Sequence, residues 1–202
     1  MPIARTASLL ALACLACSAG ACGDIGSGSV TGAALEVSDC GGPGQSKRFE
    51  PFALTLDFAS VNEQHGAATV RMAPRANRLV ALDQVGIAIY DLVSLRAALE
   101  ADGSATLPVA STAEGVPADL HGASISLTLL GSCNDASAAL GSVGSLVITA
   151  FGKHEGDPVT GSFDVDIIDR RTGEVVGPGM HGEFDFEIAT GTPYTAFSPK
   201  DF

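Results

Sequence analysis

The stretch Ser162-Phe163-Asp164-Val165-Asp166-Ile167 decides the fold class, and Glu183-Phe184-Asp185-Phe186-Glu187-Ile188 repeats its pattern later in the chain. In both stretches polar and apolar residues alternate with a period of two, as in a β-strand with two different faces. Residues 169–173, Asp-Arg-Arg-Thr-Gly, lie between them and have the composition of a turn, with a glycine available for positive φ. The pattern therefore predicts two strands, each with one apolar face and one face that carries carboxylates.

Similar strand signals extend through most of the chain. Stretches enriched in Val, Ile, Phe and Thr and bounded by Gly, Pro, Asn or Asp occur at residues 34–38, 52–59, 67–72, 78–90, 105–109, 124–130 and 146–152. Strands that are apolar on one face bury that face against a second layer of strands. We therefore predict a mainly β fold, an antiparallel β-sandwich of about eight strands, with a small β-barrel as the alternative.

Residues 91–101 are an exception to the β pattern. Three leucines recur there at helical spacing: Leu92, Leu95 and Leu99. Asp91 is a candidate N-cap, and Gly103 lies just beyond the last leucine, where a helix commonly ends. These signals predict one short helix within the β fold.

Length and charge restrict the classes of partner. The chain has 202 residues, which suits one domain, and its hydrophobic residues amount to 46%, enough to form a core. Its formal net charge is -12. Because nucleic acids are bound through Lys and Arg that displace counterions from phosphates, so acidic a chain is not expected to bind them. Anionic lipid headgroups are disfavoured for the same reason.

The N-terminal residues have the features of an export signal. Arg5 supplies a positive charge, and the apolar stretch 7–16 that follows is too short to span a bilayer as a helix. Small residues then precede a cysteine in Ser18-Ala19-Gly20-Ala21-Cys22, which resembles the lipobox of bacterial lipoproteins. Ala19-Gly20-Ala21 also fits the Ala-x-Ala pattern of an ordinary signal peptidase, so both readings place cleavage before Cys22.

The resemblance to lipoproteins has further implications. It implies that Cys22 is acylated, for example with palmitate, and anchors the chain in a membrane. Gly23 follows that cysteine in place of an acidic retention residue, which implies the outer membrane, with the protein facing the periplasm or the cell surface. We predict a signal peptide at residues 1–21, a flexible Gly/Ser-rich tether at residues 22–31 and a single β domain at residues 32–202.

The number of cysteines supports acylation of Cys22. Cleavage before this residue leaves three cysteines, an odd number for an oxidising compartment. If Cys22 is acylated, Cys40 and Cys133 remain and can pair with each other. We therefore predict a disulfide between Cys40 and Cys133.

The carboxylates of the two deciding strands form a candidate metal site, which we call the acidic stripe: Asp164, Asp166, Glu183, Asp185 and Glu187. If the strands are neighbours, like charges come to lie opposite one another, which destabilises a sheet unless something offsets the repulsion. Ca²⁺ is one candidate, because it binds several carboxylate oxygens at once. The simpler interpretation, which we prefer, is a solvated acidic face without a cofactor, neutralised by Arg170, Arg171 or Lys153.

Catalytic motifs are scarce in this sequence. His65, His121 and His181 each precede a glycine, and His154 and Asp157 share one loop, but no His-Glu-x-x-His pattern is present. The chain also lacks the Gly-x-Ser-x-Gly motif that carries the nucleophile of many hydrolases. Enzymatic activity is therefore not the leading expectation.

These observations lead to one functional expectation and one alternative. We expect a lipid-anchored protein of the cell envelope whose β domain is a non-enzymatic binding or structural module for another envelope protein. The alternative is a calcium-binding adhesion module or a metal-dependent hydrolase that uses the acidic stripe.

Overall fold

A computed structural model describes residues 26–74, 82–110, 122–133 and 139–188. The helices are α1 (Leu92–Asp102) and α2 (Leu130–Cys133). The strands are β1 (Gly26–Gly32), β2 (Leu35–Val37), β3 (Lys47–Phe49), β4 (Phe52–Leu56), β5 (Phe58–Gln64), β6 (Ala67–Ala73), β7 (Asp83–Ile89), β8 (Ala105–Ala110), β9 (Ala123–Leu129), β10 (Ala139–Phe151), β11 (Pro158–Asp169) and β12 (Val175–Glu187). Within the described ranges, no helix has the length and apolar character needed to cross a membrane.

One large sheet contains ten of these strands, in the order β4-β1-β12-β11-β10-β8-β9-β7-β6-β5. Its pairings are antiparallel except for one parallel bridge between β8 and β9. The strands at the two edges, β4 and β5, are consecutive in the chain and are separated by Asp57 alone. The backbone N–H of Asp57 donates to the carbonyl of Ala73 on β6, 3.0 Å away. The chain therefore passes from one edge of the sheet to the other and nearly closes it.

The prediction of a mainly β fold with a short helix is confirmed. The sheet is nearly closed and barrel-like, as in the predicted alternative of a small barrel, and its strands are not divided between two separate large sheets. A curved sheet buries its inner face against itself, so the same alternating pattern satisfies either architecture.

The interior contains aromatic side chains that pack over glycines of neighbouring strands. Phe163 and Phe184 face inward and are almost completely buried. The ring of Phe163 lies over Gly182, its partner on β12, and a Cβ added to Gly182 would overlap that ring. Gly161 stands in the same relation to Phe184, with the added Cβ 2.7 Å from the ring. These glycines are therefore required by packing rather than by turn geometry.

Helix α1 lies at one end of the barrel-like sheet, which we call the helix end. Asp91 caps it by accepting from the backbone N–H of Ser94 at 2.9 Å, and Gly103 ends it with φ of 71°. The predicted helix is thus confirmed, with both of its end signals. Leu92 and Leu95 point into the sheet and are buried.

The disulfide between Cys40 and Cys133 lies at the opposite end, which we call the disulfide end. The two Cα atoms are 4.4 Å apart, so the predicted pairing is confirmed. The bond joins the loop after β2 to α2, which follows the last residue of β9. Because β7 runs antiparallel to β9, the last residue of β7, which leads into α1, lies at the opposite end of the sheet. Arg171 binds Asp39 and Asp169 nearby, and its guanidinium lowers the pKa of both carboxyls.

The predicted tether of residues 22–31 is wrong from Gly26 onward. Residues 26–32 form β1, which pairs with β12 on one side and with β4 on the other. Packing accounts for Gly28, because a Cβ there would lie 2.9 Å from the carbonyl oxygen of Glu183 and 3.2 Å from the buried Phe186 ring. The predicted signal peptide, Cys22 and residues 189–202 lie outside the described residues.

Candidate binding face

All five carboxylates of the acidic stripe lie on the outer face of β11 and β12. Their side chains point to solvent while the residues between them point into the core. Asp164 and Glu183 have side chains that are 75% and 71% exposed. The prediction that the alternation separates an apolar face from an acidic face is therefore confirmed.

The register of β11 and β12 keeps the carboxylates from lying directly opposite one another. Asp164 lies opposite His181, and the other pairs are Ser162 with Glu183, Thr160 with Asp185 and Pro158 with Glu187. On the far side of β12, Ser29 and Ser27 lie opposite Glu183 and Asp185. The expected direct opposition of like charges is thus wrong: Asp164, Glu183, Asp185 and Glu187 each lie opposite a hydroxyl, a proline or a histidine, and Asp166 lies at a shift in the register.

His181 bridges the two strands between two carboxylates. Its Nδ1 lies 2.7 Å from Oδ1 of Asp164, and its Nε2 lies 3.1 Å from Oε1 of Glu183. The hydrogen bond to Asp164, and then that to Glu183, raises the pKa of His181 above its ordinary value of 6.5. With both ring nitrogens engaged, the imidazole has none left to act as a general base or as a metal ligand.

Replacing His181 with Gln should have a pH-dependent effect on stability. Because the folded-state pKa is raised, the protonated ring stabilises the fold fully below the unfolded value and this contribution disappears as pH rises through the folded value. We expect the free energy of unfolding of the variant to be lower than that of the wild type by up to about 1 kcal/mol near pH 5.5 and to equal it at about pH 9. The difference is small because exposed ion pairs contribute little to stability. Urea unfolding of both proteins at the two pH values measures this difference. A loss of equal size at both would contradict the assignment.

Arg171, one of the three residues expected to neutralise the stripe, has another role. It binds Asp39 and Asp169 at the disulfide end instead. Among the described residues of β1, β10, β11 and β12, His181 is the one basic side chain. The outer face therefore keeps a strong negative charge.

Two further carboxylates of the stripe, besides the two that contact His181, accept local hydrogen bonds. Asp185 accepts from the Thr160 hydroxyl at 2.9 Å, and Asp166 accepts from the backbone N–H of Gly179 at 2.7 Å. Each of the two carboxylates is therefore oriented by its own donor, and the two donors are not shared. Four of the five carboxylates of the stripe, Asp164, Asp166, Glu183 and Asp185, thus have a defined hydrogen-bond partner.

A shallow groove of about 390 Å³ crosses the outer face between β1 and β10. Hydroxyl groups dominate the side chains that line it: Ser27, Ser29, Thr149, Thr160 and Ser162, with Glu183 and Asp185 beside them. These small side chains leave a depression in which the two carboxylates remain exposed. Such a groove accepts hydrogen-bond donors and positive charge.

Neither a calcium site at the acidic stripe nor a metal site at His154 and Asp157 gains support from the geometry. Throughout the described parts of the chain, no group of three or more His, Cys, Asp or Glu side chains is placed so that it could hold a metal ion. Asp157 lies 3.3 Å from Nδ1 of His154, but it accepts the backbone N–H groups of Lys153 and His154, which lower its pKa. This is the chemistry of a turn. His121 lies outside the described residues.

Sequence reasoning found the acidic stripe but missed His181 and the hydroxyl groups of β1. The sequence did contain a signal for His181. Positions 183, 185 and 187 face outward, and position 181 is the preceding member of the same alternating series. The serines of β1 were missed because that segment was interpreted as a tether. The outer face thus offers many hydrogen-bond acceptors and one engaged imidazole. No protein-family model, curated protein or solved structure matches this chain.

Proposed function

We propose that this chain is an exported lipoprotein anchored in the outer membrane through Cys22. Its β domain is a non-enzymatic binding module that faces the periplasm or the cell surface and takes an envelope protein as its partner. The observation that carries this proposal is the pairing of Cys40 with Cys133.

The disulfide supports both export and acylation. Stable disulfides form in oxidising compartments such as the bacterial periplasm, and they are rare in the cytosol. Cleavage before Cys22 removes Cys14 and Cys17, and the disulfide occupies two of the three cysteines that remain. Cys22 is then the one unpaired thiol of the processed chain, at the position where lipoproteins carry their acyl groups.

Labelled palmitate should be incorporated into the wild-type chain and not into Cys22→Ala. The expected loss is complete, because acylation has no other site in the processed chain. Gel fluorography of cells grown with the labelled fatty acid measures it. Cys17→Ala is the matched control and should be labelled as strongly as the wild type. Labelling that survives in Cys22→Ala would overturn the proposed anchor.

The binding surface that we propose is the outer-face groove with the acidic stripe. Glu183 and Asp185 line the groove, and no lysine or arginine is among the described residues that line it. Positive charge on the partner offsets the repulsion along the stripe, so the partner is expected to present a lysine- or arginine-rich segment. The groove is polar, so we expect charge and hydrogen bonds, rather than apolar burial, to determine specificity.

A photo-crosslinking amino acid at Thr160 should capture this partner in living cells, and one at Val93 should not. Thr160 lies in the groove, whereas Val93 is 76% exposed on α1. Capture should fall several-fold in Glu183→Gln/Asp185→Asn and persist in Glu100→Gln/Asp102→Asn, which changes the charge equally on the helix. Mass spectrometry of the captured band should identify a protein with a basic segment. Equal capture from both positions, or capture unaffected by the groove substitutions, would contradict this surface.

A further inference from the structure

The start of β1 limits how far the folded domain can lie from an anchor at Cys22. Gly26 is already paired with Phe186 on β12, so the ordered sheet begins four residues after Cys22. Four Cα–Cα steps span at most about 14 Å even when the chain is fully extended. An acyl group at Cys22 therefore holds Gly26 within that distance of the lipid headgroups.

Several other segments lie at the same end of the sheet as Gly26. The loop 152–157 contacts the end of β12 there, with the backbone N–H of Gly156 donating to Ile188 at 2.9 Å. The backbone N–H of Leu92 in α1 donates to the carbonyl of Gly66, in the turn between β5 and β6, at 2.9 Å. Arg96 reaches from α1 to the carbonyl of Gly152 at 3.4 Å. Gly26 is thus part of the helix end.

We propose that the helix end of the domain lies against the surface of the bilayer, with the disulfide end pointing away from it. This inference rests on the proposed anchor at Cys22. The 13 residues of β12 run between the two ends. At the usual rise per residue and barrel tilt they separate the ends by about 30 Å, about twice the reach of the four-residue connection. The short connection therefore selects one orientation.

The chemistry of the helix end indicates contact with headgroups and no insertion. Its exposed residues include the acidic Glu100, Asp102, Glu155 and Glu187, beside Lys153 and one large apolar side chain, Val93. Carboxylates are repelled by anionic lipids and are costly to bury in hydrocarbon. The surface that fits is a zwitterionic headgroup layer, to which the domain is held by its acyl chains.

The orientation also places the binding groove close to the membrane. Ser27 lines the groove and is the residue next to Gly26, and Asp185 lies opposite it. The groove therefore begins within a few residues of the anchor. Its partner is then a basic segment that itself lies at the membrane surface.

Energy transfer in vesicles tests the orientation. The full-length gene is expressed, the membrane-extracted protein is placed in phosphatidylcholine vesicles with an acceptor dye on the headgroups, and a donor dye is carried by an unnatural amino acid. We compare donors at Glu155, in the loop of the helix end, and at Thr172, in the exposed turn between β11 and β12 at the disulfide end. Transfer should be several-fold stronger from position 155.

A variant with a long Gly/Ser insertion before Gly26 is the matched control. It should bind vesicles equally well and lose most of the difference between the two positions, because a flexible linker no longer selects one orientation. Vesicle binding with equal transfer from both positions, or with stronger transfer from position 172, would overturn the proposed orientation alone. Failure of the unaltered protein to bind vesicles would contradict the anchor at Cys22, and with it the basis of this inference.

Discussion

Replacing Cys40 and Cys133 together with alanine is expected to lower the free energy of unfolding by about 4–5 kcal/mol. The bond joins residues that are 93 positions apart, so the oxidised unfolded chain is confined to a large loop. Removing that constraint increases the conformational entropy of the unfolded state. Denaturant unfolding under non-reducing conditions measures the loss.

Two controls isolate the contribution of the disulfide. Cys22→Ala should unfold like the wild type, since Cys22 precedes the first described strand, β1, and is not part of the disulfide. A reducing agent added during unfolding should destabilise the wild type and leave the double alanine variant unchanged. If the variant and the oxidised wild type unfold at the same denaturant concentration, the disulfide does not stabilise this fold as we describe.

Replacing Phe163 with alanine is expected to cost about 3–5 kcal/mol, and Gly182→Ala about 1–3 kcal/mol. The first change leaves a cavity in the core, and the second forces a methyl group into the Phe163 ring. Because the two residues occupy the same space, the double variant should be more stable than the sum of the single losses predicts. Denaturant unfolding of the four proteins gives the coupling free energy.

Gly173→Ala provides a matched control for this coupling. A Cβ on Gly173 meets no atom within 4 Å, and its φ of 74° makes the substitution costly for backbone reasons alone. Gly173→Ala should lower the free energy of unfolding by the same amount in the wild type and in the Phe163→Ala variant. Additive losses for Phe163→Ala and Gly182→Ala would contradict the packing of the ring over the glycine.

Local features of this fold were predictable because short-range chemistry determines them. The alternation around Phe163 and Phe184 was enough to predict two strands and which of their side chains are buried. Likewise, Asp91 and Gly103 marked the ends of α1 because their capping roles depend on the adjacent backbone. The pairing of Cys40 with Cys133 was predicted by assigning the other three cysteines to the export signal and the lipid anchor.

The closure of the sheet could not be predicted, because it depends on pairings between distant parts of the chain. Alternation shows that one face is buried and does not show whether it packs against the same sheet or another. Here the chain passes at Asp57 from β4, at one edge of the sheet, to β5, at the other edge, and the two edges nearly meet. Gly28 was misinterpreted for the same reason: its role depends on Phe186, which is distant in sequence.

The candidate site was predicted in its residues but not in its contacts. The carboxylates of the stripe were identified, yet their opposition depended on a register that composition does not determine. That register places His181 between Asp164 and Glu183 and sets Thr160 opposite Asp185 and Pro158 opposite Glu187. A stripe that suggested calcium ligands is thus a row of exposed acceptors with one bridging imidazole.

The intact mass of the membrane-extracted protein, measured without reduction, tests the central claim most directly. We expect a chain that begins at Cys22, carries acyl groups on that residue and contains Cys40 joined to Cys133. A chain with Cys22 unmodified, or with Cys40 and Cys133 as free thiols, would contradict the account of a disulfide-linked β domain held by lipid at the membrane.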